Sequence, residues 1–163
     1  MYQRILVPID GSSTANRALT AAIELAQQSG ARLRVVYVLE ASFYLGGYDM
    51  YGSYTDELIK AMRTLGDSVV ADGLAIAKAA GVQADCMVFD KFGERLGDAV
   101  ANAARLWNAD LVVVGTHGRR GIGRVMLGSG AEQIIRMSPV PVLVIRSGGD
   151  ESQDNHHNPK EPS

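Results

Sequence analysis

Six of the eighteen glycines in this 163-residue chain fall in one stretch, GTHGRRGIGRVMLGSG, between Gly115 and Gly130. Glycine lets a ligand approach main-chain amides with no Cβ in the way. Successive amides, followed by the amino end of a helix starting near Ser129, make a site for an anion. Arg119, Arg120 and Arg124 add positive charge to the same stretch. Phosphate is the ligand that suits this chemistry. Two familiar phosphate loops are not written here. No Lys-Ser or Lys-Thr follows any of these glycines, and Gly121-Ile-Gly123 continues as Arg-Val-Met, so G-x-G-x-x-G is not completed. The stretch could also be a plain connector, its glycines serving turns and its Ser129-x-x-Glu132 a capping box. His117 lies inside the stretch and histidine as a residue type can serve as an acid or base, but no set of nucleophile, base and orienting acid is spaced around it. Cys86 is the only cysteine, which excludes an intramolecular disulfide and a Cys-rich zinc site. Its place in a predicted strand reads as a small core residue. His156-His157 read as part of a solvated tail.

The elements that must hold these residues alternate between short apolar runs and helical periods. Ile5–Ile9 is a first strand, stopped by Asp10-Gly11. A helix follows from Ser12 or Ser13, with Ala18, Ala22, Leu25 and Ala26 on one face and Gly30 as its C-cap. Leu33–Leu39 is a second strand. Residues 40–54, rich in Gly and Tyr, read as a loop. A long helix is predicted from about Thr55 to Ala80, weakened in its middle by Gly66 and Gly73. Val82–Asp90 is a third strand and Glu94–Leu106 a helix with Leu96, Val100, Ala103 and Ala104 on its buried stripe. Leu111–Val114, closed by Gly115, is the fourth strand, Ser129–Met137 a short helix, and Val142–Ile145 the last strand. Helical crossovers imply parallel pairing, and near-continuous apolar strands imply cover on both faces. The expected fold is a three-layer α/β/α sandwich, whose ligands bind at the carboxyl ends of the strands where the order reverses.

Gly115-x-x-Gly118, nine further residues and then Gly128-Ser129 resemble the G-2x-G-9x-G-[S/T] signature of the ATP-binding branch of the universal stress protein family. The opening ILVPIDGS, the VVYVL of the second strand and the closing PVPVLVIR are similar to that family as well, and the resemblance spans residues 1–146. It implies a five-stranded parallel sheet of order 3-2-1-4-5, of the adenine nucleotide α-hydrolase-like kind. It also implies a bound adenine nucleotide: ATP, or ADP or AMP, with Mg riding on the phosphates. Pro8, Ile9 and Asp10 would form part of the adenosine pocket; a turn acid ahead of the helix is the other role open to Asp10. Val38 would meet the adenine edge through its main chain. Gly115 and Gly118 would flank the ribose and phosphates. Arg119 would reach the phosphates, or be a solvated charge. Gly128, Ser129, Gly130 and Ala131 would supply amides at the helix start, with the Ser129 hydroxyl on a phosphate oxygen. A homodimer through the last strand, Val142 to Ile145, is implied too, its extent limited by Pro139 and Pro141.

Composition excludes other classes. A 17.4 kDa chain buries about 70% of its surface, enough for one core. A hydrophobic share of 47%, a charged share of 21% and a mean hydropathy of +0.01 are those of an ordinary globular protein. No apolar run approaches the length of a membrane span, and the first segment meets an acid where a signal peptide would stay apolar. With the single cysteine, this reads as a cytoplasmic protein. The net charge is −2, and four acids against one lysine between Ser147 and Ser163 leave the remainder close to neutral. That balance disfavours nucleic-acid binding. The segment 147–163 is expected to be a disordered acidic tail outside a 1–146 domain. Three functions stay open: a nucleotide-dependent stress or signalling module, a slow ATPase or phosphoryl-transfer enzyme using the same pocket, and an interaction module without nucleotide.

Overall fold

A computed structural model describes residues 1–39, 56–89, 94–116 and 127–146. The elements run β1 (Arg4–Pro8), α1 (Ser13–Ser29), β2 (Arg32–Val38), α2 (Asp56–Ala79), β3 (Ala84–Phe89), α3 (Leu96–Trp107), β4 (Leu111–Gly115), α4 (Ser129–Met137) and β5 (Val142–Ile145). All pairings are parallel, and the sheet order is β3-β2-β1-β4-β5. The 40–54 loop, the Gly118–Arg119 part of the glycine stretch and the acidic tail lie outside the described residues.

Strand alternation sorts the apolar side chains onto two faces. Ile5, Val7, Leu33, Val35, Leu111 and Val113 pack under Ala18, Leu19, Ala22 and Ile23 of α1. Leu6, Val36, Val112 and Val114 pack under Val100, Ala103, Ala104 and Trp107 of α3 and Ile134 of α4. Every residue of β4 is buried, as a central strand covered on both sides requires. The helix ends follow local rules. Ser12 accepts the Ala15 N–H at 3.2 Å as N-cap of α1, and Gly30 closes that helix in the left-handed region at φ 66°.

One expectation holds for a reason the sequence did not show, and one changes. The helix α2 is unbroken at Gly66 and Gly73, because both glycines lie against the sheet. A Cβ on Gly66 would stand 2.7 Å from the Tyr37 ring, and one on Gly73 would stand 3.2 Å from Ile9 Cδ1. Each glycine costs about 1 kcal/mol of helix propensity, and the close approach of α2 to β2 offsets it. Cys86 is exposed and not in the core. It sits on β3, an edge strand, where its neighbour on the same face, Val88, is also exposed.

The amino ends of the strands are tied by a polar network. Arg34 forms a two-point ion pair with Asp85, Nε to Oδ1 at 2.5 Å and Nη2 to Oδ2 at 2.8 Å. The Arg34 guanidinium lies 4.8 Å from the Trp107 ring centroid and that of Arg4 lies 5.7 Å from it. Arg4 also donates to the Trp107 carbonyl at 2.6 Å, while the Asp110 carboxylate accepts the N–H groups of Gln3 and Arg4.

Candidate functional site

The chain leaves β1 toward β2 on one side and returns through α3 to β4 on the other. The carboxyl ends of β1 and β4 are therefore the point where strand order reverses. A cavity of about 100 Å³ opens there. Its walls come from the ends of three strands (Pro8, Ile9 and Asp10; Val36 and Val38; Val114 and Gly115) and from Ala15, Leu96, Gly130, Ala131 and Ile134. The walls are mostly apolar, with one carboxylate, Asp10, among the lining residues.

Asp10 stands in a tight turn. Gly11 takes a φ of 79°, a left-handed conformation that side chains resist, and this lets Asp10 Oδ1 accept the Ser12 N–H at 2.9 Å. The turn role left open by the sequence is thus present, and it fixes the carboxylate at the cavity wall. Pro8 and Ile9 are buried beside it. The Ile9 N–H donates to Val36 O at 2.8 Å, which locks the end of β1 to β2 next to Val38.

Gly115 is small for a packing reason. A Cβ there would lie 2.7 Å from Thr14 Cγ2 and 2.8 Å from the Thr14 carbonyl oxygen. The end of β4 therefore meets the first turn of α1 directly. The glycine stretch then leaves and returns at one place, because the Gly128 N–H donates to Thr116 O at 2.6 Å and the Thr116 N–H to Ile145 O at 2.9 Å. That bond corrects the expectation for Gly128. Its own amide is used within the protein, and the helix amides without intrahelical partners are those of Ser129, Gly130 and Ala131. Gly128 occupies the N-cap with no side chain to satisfy them, so the start of α4 keeps the partial positive charge that attracts anions. The capping box does not form. Ser129 is the first helical residue and exposed, and the Glu132 carboxylate instead accepts from Arg136 at 2.7 Å.

Of the residues named from sequence, Pro8, Ile9, Asp10, Val38, Gly115, Gly130 and Ala131 share the cavity wall. Gly128 and Ser129 stand just before its α4 side and do not line it. Gly118 and Arg119 fall outside the described residues. Sequence reading missed Ala15, Val36, Val114, Leu96 and Ile134 as wall residues. The signal for two of them was period: Val36 lies two before Val38, and Ile134 lies three after Ala131. Leu96 reaches the cavity from α3 by resting on Gly130, where a Cβ would be 2.8 Å from its Cδ2. Among the described residues no group of three or more His, Cys, Asp or Glu is gathered to hold a metal. No helix among them is long and apolar enough to cross a membrane.

The sequence and the fold resemble those of known proteins. A universal stress protein from Thermus aquaticus is 34% identical over 148 residues, covering 90% of this chain and 100% of the relative. A crystal structure of a universal stress protein family member from Burkholderia pseudomallei superposes with a TM-score of 0.72 at 35% identity, covering 90% of this chain and 97% of that one. A universal stress protein crystallised in complex with cAMP gives a TM-score of 0.65 at 26% identity, covering 90% and 99%. The universal stress protein family model matches residues 1–146, a span that holds every element from β1 to β5, and the chain belongs to that family.

Proposed function

We propose that this chain is an adenine nucleotide-binding stress-response module, with ATP, ADP or AMP in the cavity at the ends of β1, β2 and β4. The observation that carries the reading is the union of an apolar slot, walled by Pro8, Val36 and Val38, with the start of α4, which no side chain caps. A flat, apolar base suits the slot and a phosphate suits the helix start. The relative bound to cAMP supports the same class of ligand. In this reading Asp10 contacts the ribose, or a Mg ion carried by the phosphates. Ser129, Gly130 and Ala131 donate amides, the Ser129 hydroxyl joins them, and Gly118 and Arg119 complete the phosphate side. Nucleotide occupancy then biases the protein toward one partner or conformation, which requires different affinity for the two states. Cytoplasmic work as a homodimer through β5 belongs to the same proposal. It is supported by the edge position of that strand and the exposure of Leu143.

Titration calorimetry with AMP and ATP tests the reading. Saturable micromolar binding is expected, and no heat or thermal shift at millimolar nucleotide refutes it. Light scattering that gives a monomer at micromolar protein removes the dimer.

A further inference from the structure

The starts of α3 and α4 meet at the cavity, where Leu96 and Gly130 both line the wall. The fold treats the two helix starts differently. Neither N-cap residue, Arg95 for α3 or Gly128 for α4, makes a side-chain capping bond. Yet the Gly97 N–H, in the first turn of α3, donates to Oε1 of Gln133 on α4 at 3.4 Å. An amide in that turn has no acceptor within its own helix, so α4 caps α3 from outside.

The same two residues set the spacing of the helices. Gly97 is buried, and a Cβ on it would stand 2.8 Å from the main-chain oxygen of Gln133 and 2.9 Å from its Cβ. Backbone meets backbone there, and no side chain can swing aside to relieve the contact. The start of α4 depends on such holds, because only Ala131 and Ile134 of this helix are buried. The apolar slot is fixed in another way: Pro8, Val36 and Val38 belong to strands locked in register by the sheet.

We propose that Gln133 is a positioning residue for the phosphate of the bound nucleotide, and that its contact with Gly97 sets how strongly the site prefers a 5′-phosphorylated adenylate to free adenosine. The inference rests on the nucleotide reading above. Gln133 does not line the cavity, so it acts through the helix that carries it. Ser129, Gly130 and Ala131 lie within about one turn of it. With the contact intact, their amides stay at a fixed distance from the slot, and a base seated there brings its phosphate to them. With the contact loosened, the slot keeps its shape while the amides shift, and hydrogen bonds to the phosphate lengthen and weaken. Recognition of the base and recognition of the phosphate therefore come apart at this residue.

The test uses the full chain, stripped of copurified nucleotide, as wild type, Gln133→Met and Gly97→Ala. Calorimetry measures AMP directly and adenosine by competition against it, and thermal unfolding without ligand checks that each variant is folded. Gln133→Met keeps the length of the side chain and removes the acceptor. It is expected to bind AMP about three- to ten-fold more weakly, with adenosine affinity unchanged within about two-fold. Gly97→Ala forces the helices apart and is expected to lose AMP affinity by about ten-fold or more, again with little change for adenosine. Should Gly97→Ala not fold, Gln133→Met alone decides. Unchanged AMP affinity in Gln133→Met overturns the proposal. So does an equal loss for AMP and adenosine, the mark of a merely structural role, or a wild type that binds the two ligands equally well. In each of these cases the nucleotide reading stands. Wild-type protein that binds neither AMP nor ATP removes that reading and this inference with it.

Discussion

The two ends of one sheet are built on opposite plans. At the amino ends, Arg4, Arg34, Asp85, Trp107 and Asp110 satisfy one another through ion pairs, ring stacking and main-chain bonds. At the carboxyl ends, glycine stands where a capping side chain would be at α4, and the amides of Ser129, Gly130 and Ala131 have no partner within the helix. The same strands run through both regions, so the difference is not one of fold. Polar groups closed on one another contribute stability, whereas helix amides left without an intrahelical partner can donate to a ligand. Natural proteins concentrate such departures from local consistency at their functional sites.

Substitutions can break this division. The largest effect is expected at the closed end. Trp107→Ala empties a core position and removes the platform for two guanidinium groups, and should cost about 3–5 kcal/mol in urea unfolding while AMP affinity stays within about two-fold. A large loss of affinity in folded protein would show that the ends are coupled. Gly115→Ala comes next. Its Cβ meets Thr14 main-chain atoms that cannot swing aside, and the expected cost is about 1–3 kcal/mol with nucleotide affinity reduced at least about ten-fold. Equal affinity would mean that the β4–α1 contact does not shape the cavity. Arg34→Ala should cost about 1–2 kcal/mol from the lost pair and stack, again without change in binding, and Arg34→Lys should restore only part because it cannot make the two-point contact. Ser129→Ala is the smallest. Stability should move by less than about 0.5 kcal/mol, while calorimetry should show ATP affinity down several-fold. A Ser129 variant that destabilises the protein more than Arg34→Ala does would reverse the proposed division of labour.

Much of this was legible in the sequence because it depends on local rules. The C-cap at Gly30, the limits of α4 and β5, and the buried β4 follow from glycine placement and apolar period. The parallel sheet follows from strands alternating with helices. Other features were hidden because they depend on contacts across the chain. Nothing near Gly66 or Gly73 announces Tyr37 or Ile9 as the neighbour that requires a missing Cβ. Cys86 looks like core when judged by residue type, although the order implied by the resemblance already put its strand at an edge, where the structure leaves it exposed. The cavity was half legible. The strand-end residues Pro8 to Asp10 and Gly115 were expected there, but Leu96 arrives from a helix distant in sequence. The Thr116–Gly128 bond that occupies an expected amide is likewise a pairing of residues far apart in the chain.

That bond has a bearing on how the family could vary. Thr116 and Gly128 hold each other at 2.6 Å, so the end of β4 and the start of α4 are joined directly as well as through the chain between them. Ring closure grows only logarithmically dearer with length, by about 0.6 kcal/mol per doubling. Positions of the stretch outside the spaced glycines and Arg119 can thus be exchanged like parts in a fixed socket. New recognition could then evolve without refolding the scaffold.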